Sequence, residues 1–100
     1  MSNAADVFTE IREFGLSHDD FYRIFPRVWP KYEELEGKRF GVELSPGARL
    51  EIRLAPQQYR RLATLRIPYM DIEFTFIGAN ETQRAEFYGK FERAFQKGGG

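Results

Sequence analysis

The chain has 100 residues and a mass of 11.7 kDa, and its 15 basic side chains are balanced by 15 acidic ones. At that mass the folded surface is about 5,900 Å² against about 17,000 Å² unfolded, so roughly two thirds is buried and one core in one domain is expected. Zero net charge argues against a general nucleic-acid coat protein, and the absence of cysteine rules out disulfides, thiolate zinc sites and thiol nucleophiles. No apolar run nears the ~18 residues of a membrane span and the N-terminus lacks a signal peptide's layout, so the expected setting is cytoplasmic, without a membrane partner.

Residues 1–5 are expected to be disordered, 6–97 to form a single α+β domain, and 98–100 to be a flexible glycine tail. Residues 6–14 read as a first strand, rich in Val7, Phe8, Thr9, Ile11 and Phe14. Gly15 breaks it, and Ser17 then has the position of a helix N-cap, with Asp20 at N3 and Leu16 able to staple onto Phe21. Phe21, Ile24, Phe25 and Val28 make one apolar face at helical spacing. Pro26 lacks an amide proton, so the helix is expected to end or kink there. Residues 29–37 stay open: Pro30 can start a short helix, or 32–36 can be a strand before a Gly37-Lys38 turn.

Phe40, Val42 and Leu44 alternate with polar neighbours, as do Leu50, Ile52 and Leu54, and Ser45-Pro46-Gly47 between them makes a hairpin. Residues 55–59 read as a loop. Residues 62–67 read as a further strand, ended or edged by Pro68. Met70, Ile72, Phe74 and Phe76 then form the most regular alternation in the chain. Asn80 caps a final helix with Gln83 at N3, and Phe87, Tyr88, Phe91, Ala94 and Phe95 form its apolar stripe. Gly98 is the expected C′ stop.

The predicted fold is α+β: a two-layer antiparallel sheet with helices on one face, in the order β-α-β-β-β-β-α. This order is similar to one half of the TATA-binding-protein-like fold, a resemblance at the level of topology over about 90 residues. With a helix at 29–35, the layout resembles a shortened helix-grip domain instead, which implies an apolar cavity between sheet and long helix.

No catalytic constellation emerges. His18 is the only histidine, and Asp19 and Asp20 beside it diverge around the helix, so neither a metal site nor an acid–base pair is expected. The serines and threonines stand alone, and no nucleophile elbow, P-loop or dinucleotide glycine pattern occurs. No catalytic residue, metal or cofactor is assigned, and the chain is read as non-enzymatic. Gly98-Gly99-Gly100 resembles the end of ubiquitin-like carriers, but it follows a helix rather than a final strand.

Charge is unevenly spread. Residues 1–37 carry a net −4, residues 38–70 a net +5 and residues 71–100 a net −1. The basic middle contains Tyr59, Arg60 and Arg61, residue types that dominate binding hot spots, expected on the loop Gln57-Gln58-Tyr59-Arg60-Arg61. Arg49, Arg53 and Arg66 are expected on the outer sheet face with Glu51, Asp71 and Glu73, as a cross-strand salt lattice. The function expected is a small binding or assembly module. It would self-associate or hold a protein partner through the Tyr59/Arg60/Arg61 loop or the outer sheet face, as a homo-oligomer. One alternative is anion or nucleic-acid binding by Arg49, Arg53, Arg60, Arg61 and Arg66. The other is a small apolar ligand in a helix-grip cavity.

Overall fold

The computed structural model describes the backbone of residues 6–99 and the side chains of residues 6–95; the expectations for residues 1–5 and for Gly100 lie outside these. Eight elements follow in order: β1 (Val7–Phe14), α1 (His18–Val28), β2 (Glu33–Leu35), β3 (Arg39–Ser45), β4 (Ala48–Leu54), β5 (Gln58–Leu62), β6 (Leu65–Ile77) and α2 (Glu81–Gly99). The sheet is antiparallel with strand order β1-β6-β4-β3-β2, and β5 pairs only with β6. Helix follows strand at each end of the meander, and the even-numbered residues of β6 bury Met70, Ile72, Phe74 and Phe76 on the helix side. An α+β antiparallel sheet with two helices on one face is therefore what the alternation and the two amphipathic stripes build.

The helix starts are as the sequence dictates. Asp20 N donates to Ser17 Oγ at 3.0 Å and Ser17 N donates to Asp20 Oδ2 at 3.4 Å, a complete capping box. Asn80 and Gln83 exchange the same two bonds, at 2.8 and 2.9 Å. The core is aromatic. Phe91 is fully buried, with ring centroids 5.5 Å from Phe74, 5.1 Å from Phe14 and 4.4 Å from Phe95, and Phe21 stacks on Phe25 at 4.7 Å. The space between sheet and α2, where a helix-grip cavity would lie, is filled by Phe74, Phe76, Phe87 and Phe91 at centroid spacings of 5.5 to 5.9 Å.

Several expectations are corrected. Among the described residues there are six strands rather than the five expected. The open segment at 29–37 resolves into a turn at Pro30-Lys31 and the short strand β2. Helix α1 runs through Pro26, because the proline sits in the last turn, where one lost amide bond is tolerated and Trp29 N still donates to Phe25 O at 3.0 Å. Helix α2 overruns Gly98, the expected stop. The two segments read as separate strands around Pro68 are one strand, β6, and Tyr59, Arg60 and Arg61 lie in a strand, β5, rather than in a loop.

Pro68 is accommodated by parity. Ala55 N donates to Asp71 O, so odd residues of β6 face the β4 and β5 side, and Gly78 N donates to Asp6 O, so even ones face β1. At position 68 there is no β1 residue left to pair, since β1 ends opposite Met70. The missing N–H of proline therefore points at a free edge and costs no ladder bond.

Candidate interaction site

β4 and β5 lie end to end along the same side of β6. Leu54 pairs with Ile72, and after the interruption at 55–57 Gln58 pairs with Tyr69, so the register advances by one residue. One extra residue on one strand is a bulge, which bends the ladder and raises its twist. Beyond it, β5 and the first five residues of β6 leave the helices behind and project as a two-stranded arm. β6 alone spans about 40 Å at ~3.3 Å per residue, in a molecule measuring 56 × 26 × 22 Å. The arm closes through the two-residue turn Ala63-Thr64, with Ala63 at φ 56, a left-handed value that non-glycine residues adopt at some steric cost.

The root of the arm is fastened by α1. His18 Nε2 lies 2.9 Å from the Ala55 carbonyl, and since a carbonyl only accepts, the ring nitrogen donates. His18 N donates to Gln57 Oε1 at 2.7 Å, and Gln57 Nε2 donates to the Tyr59 hydroxyl at 2.6 Å. The lone histidine thus does helix-start work, as expected, and also clamps the bulge. Sequence reasoning missed that second role because its partner lies 37 residues away.

The six predicted site residues separate into two groups. Arg49 and Arg53 lie on the outer sheet face and are taken up by carboxylates: Arg49 with Glu33 at 3.1 Å and Glu51 at 3.7 Å, Arg53 with Glu73 at 2.8 Å. The absence of a side chain at Gly41 leaves the channel along which Arg49 reaches Glu33. The expected salt lattice exists there around Glu51 and Glu73, but among the described residues neither Arg66 nor Asp71 is part of it. Arg66 sits on the arm with Tyr59, Arg60 and Arg61, because residues 65–69 of β6 extend past the main sheet.

On the arm, pairing fixes which side chains share a face. One face carries Arg60, Leu62, Leu65 and Ile67, with Leu62 directly opposite Leu65 at the tip. These two leucines are 56% and 61% exposed. Arg60 stacks over the Tyr69 ring at 4.3 Å and donates to Glu13 of β1 at 2.9 Å, a bond that holds its guanidinium charged even more firmly than usual. The other face carries Tyr59, Arg61, Arg66 and Pro68. Arg66 lies 4.1 Å over the Tyr59 ring, and Arg61 stands directly opposite Arg66, with no carboxylate on either among the described residues. Like charges face to face repel, so this pair favours an incoming anionic group. The exposed leucines were not singled out from the sequence; their spacing across a two-residue turn was the available signal.

Among the described residues, no group of three His, Asp or Glu side chains is placed to hold a metal, and no helix is long and apolar enough to cross a membrane. No protein-family model, no curated protein and no solved structure matches this chain.

Proposed function

We propose that the chain is a small non-enzymatic assembly module that works by protein–protein contact and presents the β5–β6 arm to a partner. The observation that carries this reading is the tip: Leu62 and Leu65 are paired with each other and otherwise face solvent. An isolated two-stranded ribbon is only marginally stable in water, so apolar residues at its end add little to the fold and are suited to burial by something else. Tyr59, held by Gln57 and Arg66, is a rigid aromatic anchor on the opposite face of the same arm. The partner would enclose the arm from both sides, with an apolar surface against Leu62 and Leu65 on one face and acidic groups against Arg61 and Arg66 on the other. The meander closed by β1 against β6 also supports the topological resemblance to one half of a TATA-binding-protein-like fold, which carries no function by itself.

Binding of a polyanion by the arm is the second reading, favoured by Arg61 and Arg66, which hold no carboxylate among the described residues. The outer-face arginines do not add to it, since Arg49 and Arg53 already hold carboxylates. The two readings separate by salt. The immobilised parent chain and its Leu62→Lys/Leu65→Lys variant are compared as baits in cell extract at low and moderate ionic strength, alongside single-stranded RNA titrations. A protein held by the parent at both salt concentrations and lost from the variant supports the arm as a protein contact. Identical capture by both baits, together with RNA binding that falls steeply with salt and flattens in Arg61→Ala/Arg66→Ala, moves the reading to nucleic acid.

A further inference from the structure

The sheet has two ends, and they are treated differently. At one end β2 is three residues long, and two of them are the exposed glutamates Glu33 and Glu34, which suits an edge that must not pair. At the other end β1 is eight residues long, pairs with β6 without a bulge or shift, and contains neither proline nor lysine. It also exposes Val7 (63%), Phe8 (41%) and Ile11 (60%). Of the seven exposed large hydrophobic side chains among the described residues, three are here and three on the arm.

Backbone parity decides what this edge accepts. Asp6 O accepts from Gly78 N, so the even residues of β1 bond β6 and the odd ones, Val7, Thr9, Ile11 and Glu13, turn their N–H and C=O outward. A second copy of β1 pairing antiparallel about a two-fold axis must therefore set odd residues against odd. Centring on Glu10 places two glutamates face to face, and centring on Arg12 places two arginines face to face. Centring on Thr9 sets Arg12 against Asp6 but Glu10 against Phe8, which gives that carboxylate no cation across the axis. Centring on Ile11 sets Glu10 against Arg12 twice, Phe8 against Phe14 twice, and Ile11 against itself. This register alone sets Glu10 against Arg12 across the axis and the exposed Phe8 ring against another aromatic ring.

We infer that β1 is a homodimer interface, in which two copies join edge to edge with Ile11 on the two-fold axis and Glu10 of each opposite Arg12 of the other. The result is one continuous sheet ten strands wide, with β5 of each copy continuing along its β6 and both α2 helices on the same face. Glu10 and Arg12 blunt the edge against an arbitrary strand while matching their own copy, which makes the contact selective. Inside one protomer the same charges already meet at 3.5 Å, Tyr88 donates to Glu10 at 2.8 Å, and Arg12 lies 3.6 Å over the Tyr88 ring and 3.3 Å from Glu92, so the cross-axis pairs extend a charge network held at the edge. The two arms then leave the dimer at opposite ends, each free to hold a partner. The interface is separate from the arm, although it belongs to the same assembly reading.

Sedimentation of the full chain over a hundredfold concentration range tests this. The parent is expected to dimerise. Glu10→Arg and Arg12→Glu are each expected to weaken the dimer at least tenfold, and an equimolar mixture of the two to recover it as a heterodimer, because every cross-axis pair is then Arg against Glu. Circular dichroism checks that each variant is folded. If either is not, Ile11→Lys, at an exposed position on the axis, replaces the pair and is expected to give a monomer. A parent that stays monomeric, folded single variants that dimerise like the parent, a mixture that does not recover, or a dimeric Ile11→Lys each overturns the proposal. Leu62→Lys/Leu65→Lys is run in the same series and is expected to remain dimeric. If that variant dissociates instead while Glu10→Arg does not, the edge is overturned and the arm is the dimer contact.

Discussion

The Nε2 of His18 donates to the Ala55 carbonyl at 2.9 Å, so the first residue of α1 pins the bulge from which the arm springs. The arm has no helix beneath it and depends on its root for direction. His18→Ala is expected to remove about 0.5–1.5 kcal/mol of local stability, the net value of one such bond. Amide exchange should accelerate at residues 58–69 while the buried amides of β4 and the second half of β6 keep their rates. Equal acceleration throughout would mean that arm and sheet open together and that the histidine is an ordinary cap neighbour.

Phe91 is the ring on which the two layers meet, in contact with Phe14, Phe74, Phe87 and Phe95 at centroid distances of 4.4 to 5.6 Å. Phe91→Ala removes transfer energy and leaves a cavity in a close-packed site. The expected loss is about 3–5 kcal/mol, a large part of the ~5–15 kcal/mol that holds a domain of this size together. Denaturant titration measures it, and an unchanged midpoint would contradict the packing.

Ser17 and Asp20 give a third test, with a pH signature. Burial raises the Asp20 carboxyl, but its hydrogen bonds from Arg23 and from Ser17 outweigh that, and the net direction is downward. A carboxyl lowered on folding stabilises the protein above its unfolded pKa, and that stabilisation is lost as pH falls through the lowered folded value. Ser17→Ala should cost about 0.5–2 kcal/mol at neutral pH. Asp20→Ala should also destabilise at neutral pH, but its difference from the parent should begin to shrink below about pH 4, where the unfolded parent takes up a proton at this carboxyl, and disappear once the lowered folded carboxyl is protonated too. A constant difference across that range would mean that the charge of Asp20 contributes nothing.

These elements were legible because their signals are local. The capping box lies within four residues, the helix stripes within two turns, and the strand alternation of 70–77 within eight residues. The arm was not legible, for reasons that can be named. Pro68 reads as a stop because its missing N–H matters wherever a neighbour is present, and only the sheet order shows that none is. The segment 55–57 reads as the start of a loop because Pro56 follows Ala55, while the continuation of the same ladder beyond it depends on β6, encountered later in the chain. Arg66 reads as an outer-face residue of a separate strand at 62–67, and nothing local to it reveals that the main sheet ends at Met70.

The facing pair Arg61 and Arg66 breaks a local rule, since like charges directly opposite on a ladder weaken it. Sequences break such rules mainly where function asks for it. Arg61→Glu converts the pair to opposite charges and is expected to stabilise the arm by about 0.2–1 kcal/mol, read as slower amide exchange across 58–69. The same substitution removes the attraction for acidic groups on a partner. The protein captured by the parent should therefore be held at least tenfold more weakly by the Arg61→Glu bait, although that bait's arm is better ordered. Lys at the same position keeps the charge and should retain capture without slowing exchange. If Arg61→Glu slows exchange and leaves capture unchanged, the basic face of the arm takes no part in recognition, and the leucines at the tip carry it alone.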